Sequence, residues 1–205
     1  MTVLKKSIYY FQQEGKQNKE NVLKIVIETA QQNQQIKKII VFTSDGEIAL
    51  KLKKQLPNHQ IIAVTFPYMK QFKIKKDKDY YETIIPETSK KEVQNNLKKE
   101  GIILLQGVLP FEDIIIPYNS DTKIQTINYT LSLFGGGMKL CVEALIVATD
   151  SGAVEPGEEA IVMSADTAII ATGSRKEWLF HPVYGMQIKE ILCKPINFNI
   201  TKKSQ

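Results

Sequence analysis

Apolar and polar positions alternate along this chain in blocks that change period. "SIYYF" (Ser7 to Phe11) is β-branched and aromatic and predicts a strand. After the polar stretch "QQEGKQNKEN", Val22, Ile25, Val26 and Thr29 recur at helical spacing, so 21–32 predicts an amphipathic helix that Asn18 or Asn21 can cap. "IKKIIVFT" closes on the continuous apolar run of a buried parallel strand. It meets "TSDGE" directly, and "IALKLKKQL" then resumes helical spacing as far as Pro57. "QIIAVTF" is a third strand of the same kind. Strand, helix and strand from Ile36 to Phe66 therefore form a βαβ unit, which is parallel and right-handed almost without exception.

Downstream, "ETSKKEVQNNLKKE" predicts a helix capped by Thr88 or Ser89, and "GIILLQG" a fourth buried strand. The mixed stretch from Val108 to Phe134 predicts a loop followed by a short helix from about Asp121. "GGGMKLCVEALIVATDSG" predicts a buried helix that starts just after the glycines and ends at Gly152. "EEAIVMSADTAIIATG" predicts two short strands around a Ser-Ala-Asp-Thr turn, "MQIKEILCKP" a last strand, and residues from about 196 a tail. Continuous apolar strands alternating with amphipathic helices predict one α/β domain over 1–205. It is a three-layer sandwich on a mainly parallel sheet, with Ile39–Phe42, Ile61–Thr65 and Ile102–Leu105 as its central strands.

Composition narrows the function classes. A chain of 205 residues with 43% hydrophobic and 24% charged positions suits one packed domain. The longest apolar stretches fall far short of a membrane span, and no small-residue cleavage site follows Lys5 and Lys6, so neither an anchor nor a signal peptide is expected. Two cysteines do not make a disulfide framework, and a cytoplasmic location follows as the expectation. The net charge of +5 rests on lysines spread among acids, with Arg175 the lone arginine, and no nucleic-acid partner is expected. The densest basic stretch, Lys70 to Glu82, reads as a solvated surface loop.

Candidate chemistry lies in three places that bring hydroxyls, small residues and backbone amides to a strand end or helix start, where open α/β sheets bind ligands. The first is Thr43-Ser44-Asp45-Gly46. Helix-start amides, the dipole and two hydroxyls favour an anion there, and Gly46 lets one approach; the alternative is that Ser44 or Asp45 simply caps the helix. The second is Gly135-Gly136-Gly137-Met138-Lys139, an anion cradle or a hinge into the buried helix, which matches neither dinucleotide nor nucleotide-triphosphate loop motifs. Lys139 near a helix start runs against the dipole and suggests compensation by an anion. The third is the turn at Asp166 and Thr167, whose carboxylate can hold a sugar or ribityl hydroxyl or stabilise its own backbone. No catalytic triad or metal-ligand spacing stands out, and no catalytic residue is assigned. His59 reads as an exposed turn residue, His181 as packing among Trp178, Phe180 and Tyr184, and Cys141 and Cys193 as unreactive.

The stretch from Lys37 to Thr65, with its Thr/Ser-Gly loop between two strands, resembles the C-terminal α/β domain of pyruvate kinase. Nearly the whole chain is similar to stand-alone proteins of that domain. The motifs are Phe134 to Lys139, Val142-Glu143, Asp150-Ser151-Gly152, Pro156 to Glu159, Asp166-Thr167-Ala168 and Glu190 to Pro195. It departs from their pattern at Gly136 and Met138 and between Lys70 and Asp113. The resemblance implies the pyruvate kinase C-terminal fold, an effector-type phosphate pocket at Thr43 to Gly46, and subunit contacts that make a homo-oligomer an expectation. It further implies binding of a phosphorylated small molecule, flavin mononucleotide (FMN) first, without the kinase chemistry that pyruvate kinases carry in their barrel domain. The alternatives are a flavin-dependent enzyme, or an enzyme acting on a phosphorylated metabolite, with Asp166, Lys139 and His181 as its groups. A third alternative is an assembly module using the apolar stretch "WLFHPVYG".

Overall fold

The computed structural model describes residues 3–77, 80–111 and 122–199. In chain order the strands are β1 (Tyr9–Gln13), β2 (Lys38–Phe42), β3 (Gln60–Thr65), β4 (Phe72–Asp77), β5 (Tyr80–Ile84), β6 (Ile103–Gln106), β7 (Glu159–Met163), β8 (Ala168–Thr172) and β9 (Ile188–Asn197). The helices are α1 (Lys19–Gln32), α2 (Glu47–Gln55), α3 (Lys91–Lys99), α4 (Thr122–Ser132) and α5 (Gly136–Asp150). Seven strands form one sheet in the order β1-β9-β8-β7-β2-β3-β6, and β4 and β5 form a separate two-stranded hairpin. Every neighbour pair in the large sheet is parallel except β7–β8 and β8–β9, so β8 alone runs backwards. Of the three strands expected at the centre, β2 and β3 are interior, with Ile39 beside Ile61, but β6 is the outer strand beyond β3, Ile62 lying beside Ile103, and as an edge strand it is only half-buried.

Period two on the strands separates two cores. Ile39, Val41, Ile61 and Ala63 face α1, α2 and α3, whose Val22, Val26, Ile48, Leu52 and Leu97 complete that layer. Ile40, Ile62 and Val64 face the opposite way, onto Met138, Cys141, Leu145 and Ala148 of α5. Each fully buried Ile or Leu contributes roughly 1.5–3 kcal/mol, which makes these two layers the main stabilising term. Helix α4 packs outside α5, through Ile124, Ile127 and Leu131 against Val142 and Ile146. The result is the three-layer sandwich that the apolar periodicity predicts.

Several local expectations change. Lys70 to Glu82 is not a surface loop: Phe72 to Asp77 pairs antiparallel with Tyr80 to Ile84, and residues 78 and 79 lie outside the described residues. The physical reason is the F-K-I-K alternation of Phe72 to Lys75, a strand period that the lysine density hides. Phe72 stacks edge-on against Phe66, which meets Phe42 in the same way. Thr88 and Ser89 do not cap α3 but form a 3-10 turn ahead of it, where Thr88 Oγ1 lies 2.9 Å from Thr65 Oγ1. Helix α5 starts inside the glycine run and ends at Asp150, while the last strand continues to Asn197 where a tail was expected. Asp121 and the residues beyond 199 fall outside the described residues. No described helix is long and apolar enough to cross a membrane.

Candidate functional site

Because β8 is the one reversed strand, the carboxyl ends of β1, β2, β3, β6, β7 and β9 all reach the same edge of the sheet. Strand β2 delivers Thr43 to Gly46 there, and its neighbour β7 delivers Ser164 to Thr167, since Val41 sits beside Met163. Helix α5 begins at this edge.

Thr43 to Gly46 is a self-contained turn. Gly46 has φ 78°, and its amide donates to Thr43 Oγ1 at 3.0 Å, while the Glu47 amide donates to Asp45 Oδ1 at 2.9 Å. The Gly46 amide of the turn and the first amide of α2 are thus held by Thr43 and Asp45. A Cβ on Gly46 would meet Leu97 Cδ1 at 3.2 Å. Left-handed backbone and core packing are together sufficient to favour glycine here. Lys19 Nζ lies 3.0 Å from both Asp45 Oδ2 and Glu47 Oε2. Burial pulls the Lys19 ammonium down, but the hydrogen bonds to Asp45 and Glu47 outweigh it and hold its pKa above the ordinary 10.5. Burial pushes Asp45 up, and the bonds from the Glu47 amide, Lys19 and Thr43 prevail and hold it below 3.8.

The other two candidate loops are in direct contact. A Cβ on Gly137 would collide with Asp166 Oδ1 and Thr167 Oγ1 and come within 2.7 Å of Ser164 Oγ, so only glycine allows α5 to start against this turn. Gly136, by contrast, faces open space, and Gly135, at φ 102°, borders Pro195 and Phe198. The turn is a tight hairpin in which the Ser164 amide donates to Thr167 O at 2.9 Å. Asp166 is buried; its Oδ1 accepts from Thr167 Oγ1 at 3.1 Å, and its Oδ2 from the Gly15 amide at 2.7 Å. Gly15 to Lys19 thus straps the two halves of the edge together, touching Asp166 at one end and Asp45 at the other. Thr43, Ser44, Asp45 and Gly46 are joined to Asp166 through that strap, whereas Gly137 brings the Gly135–Gly137 run directly against Asp166 and Thr167, and Lys139, further along α5, has its recorded partner in Glu143.

Sequence reasoning assigned no role to three residues here. Gly15 and Lys19 carry no local signal, because their partners are distant in the chain. Glu143 is the third: fully buried in α5, it accepts the Phe111 amide on Oε1 at 3.1 Å, and its Oε2 lies 3.8 Å from Lys139 Nζ. Its place one turn beyond Lys139 was a readable signal. Glu143 is thus a carboxylate on the same helix within ion-pair distance of Lys139.

The remaining candidates stand apart. His181 Nδ1 accepts the amides of Val183 and Tyr184 at 3.1 Å and its ring stacks on Tyr184, so it builds its own turn. That turn lies by the far end of α5, where the Lys176 amide donates to Asp150. Asp166, Lys139 and His181 are consequently not brought together. Two apolar clefts of about 320 and 380 Å³, both lined by Ile127, Leu179 and Phe180, lie on that side and away from the loop cluster. His59 is half-buried with both ring nitrogens shut off from solvent, contrary to the exposed turn expected, and burial holds its pKa below 6.5. Cys141 and Cys193 are buried; burial raises both thiols, Cys193 to about 12, which keeps them protonated and inert. Among the described residues no group of three or more His, Cys, Asp or Glu side chains could hold a metal ion.

The architecture and the order of the loops both point one way. Residues 20–175 match the family model described as "Pyruvate kinase, alpha/beta domain", and the chain belongs to that family.

Proposed function

We propose that this protein binds a phosphorylated small molecule, FMN first, at the carboxyl edge of its sheet, without phosphoryl transfer from phosphoenolpyruvate. The observation that carries the reading is the start of α5, where Gly137 packs against the Ser164–Thr167 turn and Gly136 opens onto free space. The first amides of a helix, with the dipole behind them, favour a phosphate, and Lys139 adds a cation one turn further on. Asp166 supplies acceptors for a ribityl chain, since each carboxylate oxygen can accept a second bond, and Thr167 orients that carboxylate through its own hydroxyl. Pro195 and Phe198 beside Gly135, with exposed Phe134, offer an apolar wall for a ring system. Thr43 to Gly46 contributes less than its composition suggests, because its amides are engaged.

Calorimetric titration with FMN and with riboflavin tests this. FMN should bind at least about tenfold more tightly, since a hydrogen bond to a charged group is worth roughly 1.5–3 kcal/mol. Lys139→Gln should shrink that preference. It should also lower the melting temperature, because buried Glu143 loses its cation, so affinities are read well below the variant's transition. Equal affinities for the two flavins would remove the phosphate from the reading. Folded protein that binds neither FMN nor a sugar phosphate would end it.

A further inference from the structure

Helix α4 and the segment 173–187 between β8 and β9 both pack on α5, and the two apolar clefts of about 320 and 380 Å³ lie where they meet. The clefts adjoin, sharing Ile127, Leu179 and Phe180 as walls. Leu131, Val142 and Met186 help to line the smaller one, which has no charged residue. Lys176, Glu177 and His181 line the larger one, and all three are exposed, so they form its rim. Small-molecule sites occupy roughly 300–1,000 Å³ and are mostly apolar, with a few polar groups that fix the ligand's orientation. Phe180 walls both clefts and is nevertheless 77% exposed, an apolar surface that a bound apolar chain would cover.

Charge at the rim does not cancel. Glu177 pairs with Arg175 at 4.0 Å, whereas Lys176 Nζ has no carboxylate within ion-pair distance among the described residues. Only the Lys176 amide is engaged, by Asp150. His181 Nδ1 accepts the Val183 and Tyr184 amides, so in the neutral ring the proton sits on Nε2 and that nitrogen can only donate. An ammonium and an N–H donor therefore stand at one end, and an uncharged apolar cleft lies beyond the shared walls. We propose that this site binds an aliphatic monocarboxylate, with its carboxylate at Lys176 and His181 and its chain running past Ile127 toward Leu131, Val142 and Met186. A methylene chain can bend past Leu179 and Phe180 from one cleft into the other, which a rigid ring system cannot do. The site lies toward the far end of α5 from the glycine cluster, and the inference does not rest on the flavin reading.

Trp178 is the chain's one tryptophan and adjoins Leu179, so its emission reports on this segment. Titrating the full chain with octanoate, decanoate and dodecanoate below their micelle concentrations should give saturable changes. Affinity should rise about fourfold for each added methylene, the equivalent of about 0.8 kcal/mol. Lys176→Glu should weaken decanoate by about tenfold and leave decanol unchanged, because only the carboxylate meets the reversed charge. Phe180→Ser, at an exposed position that the fold does not need, should weaken decanoate and decanol alike. A response that does not saturate, or an affinity indifferent to chain length, would overturn the proposal. Full retention of both ligands by Phe180→Ser would overturn the location. Equal effects of Lys176→Glu on decanoate and decanol would overturn the carboxylate head group.

Discussion

Gly136 and Gly137 are adjacent, chemically identical and opposite in consequence. Alanine at 136 would place its Cβ in open space in the first turn of α5, where it helps the helix by up to about 1 kcal/mol. Alanine at 137 would drive into Ser164, Asp166 and Thr167, and prising that turn from the helix costs about 1–3 kcal/mol. Gly136→Ala should therefore keep or raise the melting temperature and Gly137→Ala should lower it, as thermal unfolding followed by circular dichroism would report. Equal effects would mean that α5 and the Ser164–Thr167 turn are not in contact. The chain's composition marks three glycines as one flexible run. Which of them is pinned depends on a turn nearly thirty residues away, and no periodicity records that.

At the scale of elements, the turn between β2 and α2 is held by charge as well as by its hydrogen bonds. Asp45 accepts the Glu47 amide and pairs with Lys19, and its pKa is depressed. A depressed carboxyl stabilises the fold above its unfolded value of 3.8 and loses that contribution as pH falls through its lower folded value. Asp45→Asn keeps a capping oxygen but drops the ion pair. It should be less stable near neutral pH by up to about 1 kcal/mol, a partly exposed pair being worth no more. The gap between wild type and variant should close below pH 3.8, and a gap independent of pH would show the pair contributes nothing. This element was legible in outline: a buried strand, a hydroxyl-rich turn and a helix follow from the run Ile39 to Gln55. The strap from Gly15 to Lys19 was not, because the Gly15–Asp166 bond joins residues 151 positions apart. The β4–β5 hairpin was misread for a different reason, since charge density outweighed a period-two alternation that was present.

For the molecule as a whole, the centre of the sheet was the most readable part. Parallel strands buried on both faces must be continuously apolar, and "KIIVF", "QIIAVT" and "EAIVM" are. Those strands should exchange their amide hydrogens most slowly, with Ile39 to Val41, Ile61 to Val64 and Ile161 to Val162 opening only on global unfolding. Strand β1, one-sided and exposed, and the detached β4–β5 hairpin should exchange far sooner. Hydrogen exchange read by mass spectrometry checks the ranking, and early exchange in β3 would contradict the two-core description. The reversed strand β8 has a further, practical consequence. Two changes of direction around it return β9 to the common sense of the sheet, so the chain enters β1 at one edge and leaves β9 at the other. Phe198 ends up within 3.7 Å of where a Gly135 side chain would begin. A fluorescent reporter or affinity handle attached after β9 would stand over the glycine cluster and shade it. Ahead of β1 the same handle would leave the glycine cluster clear but crowd the open strand, so a label's position determines which surface an assay can report on.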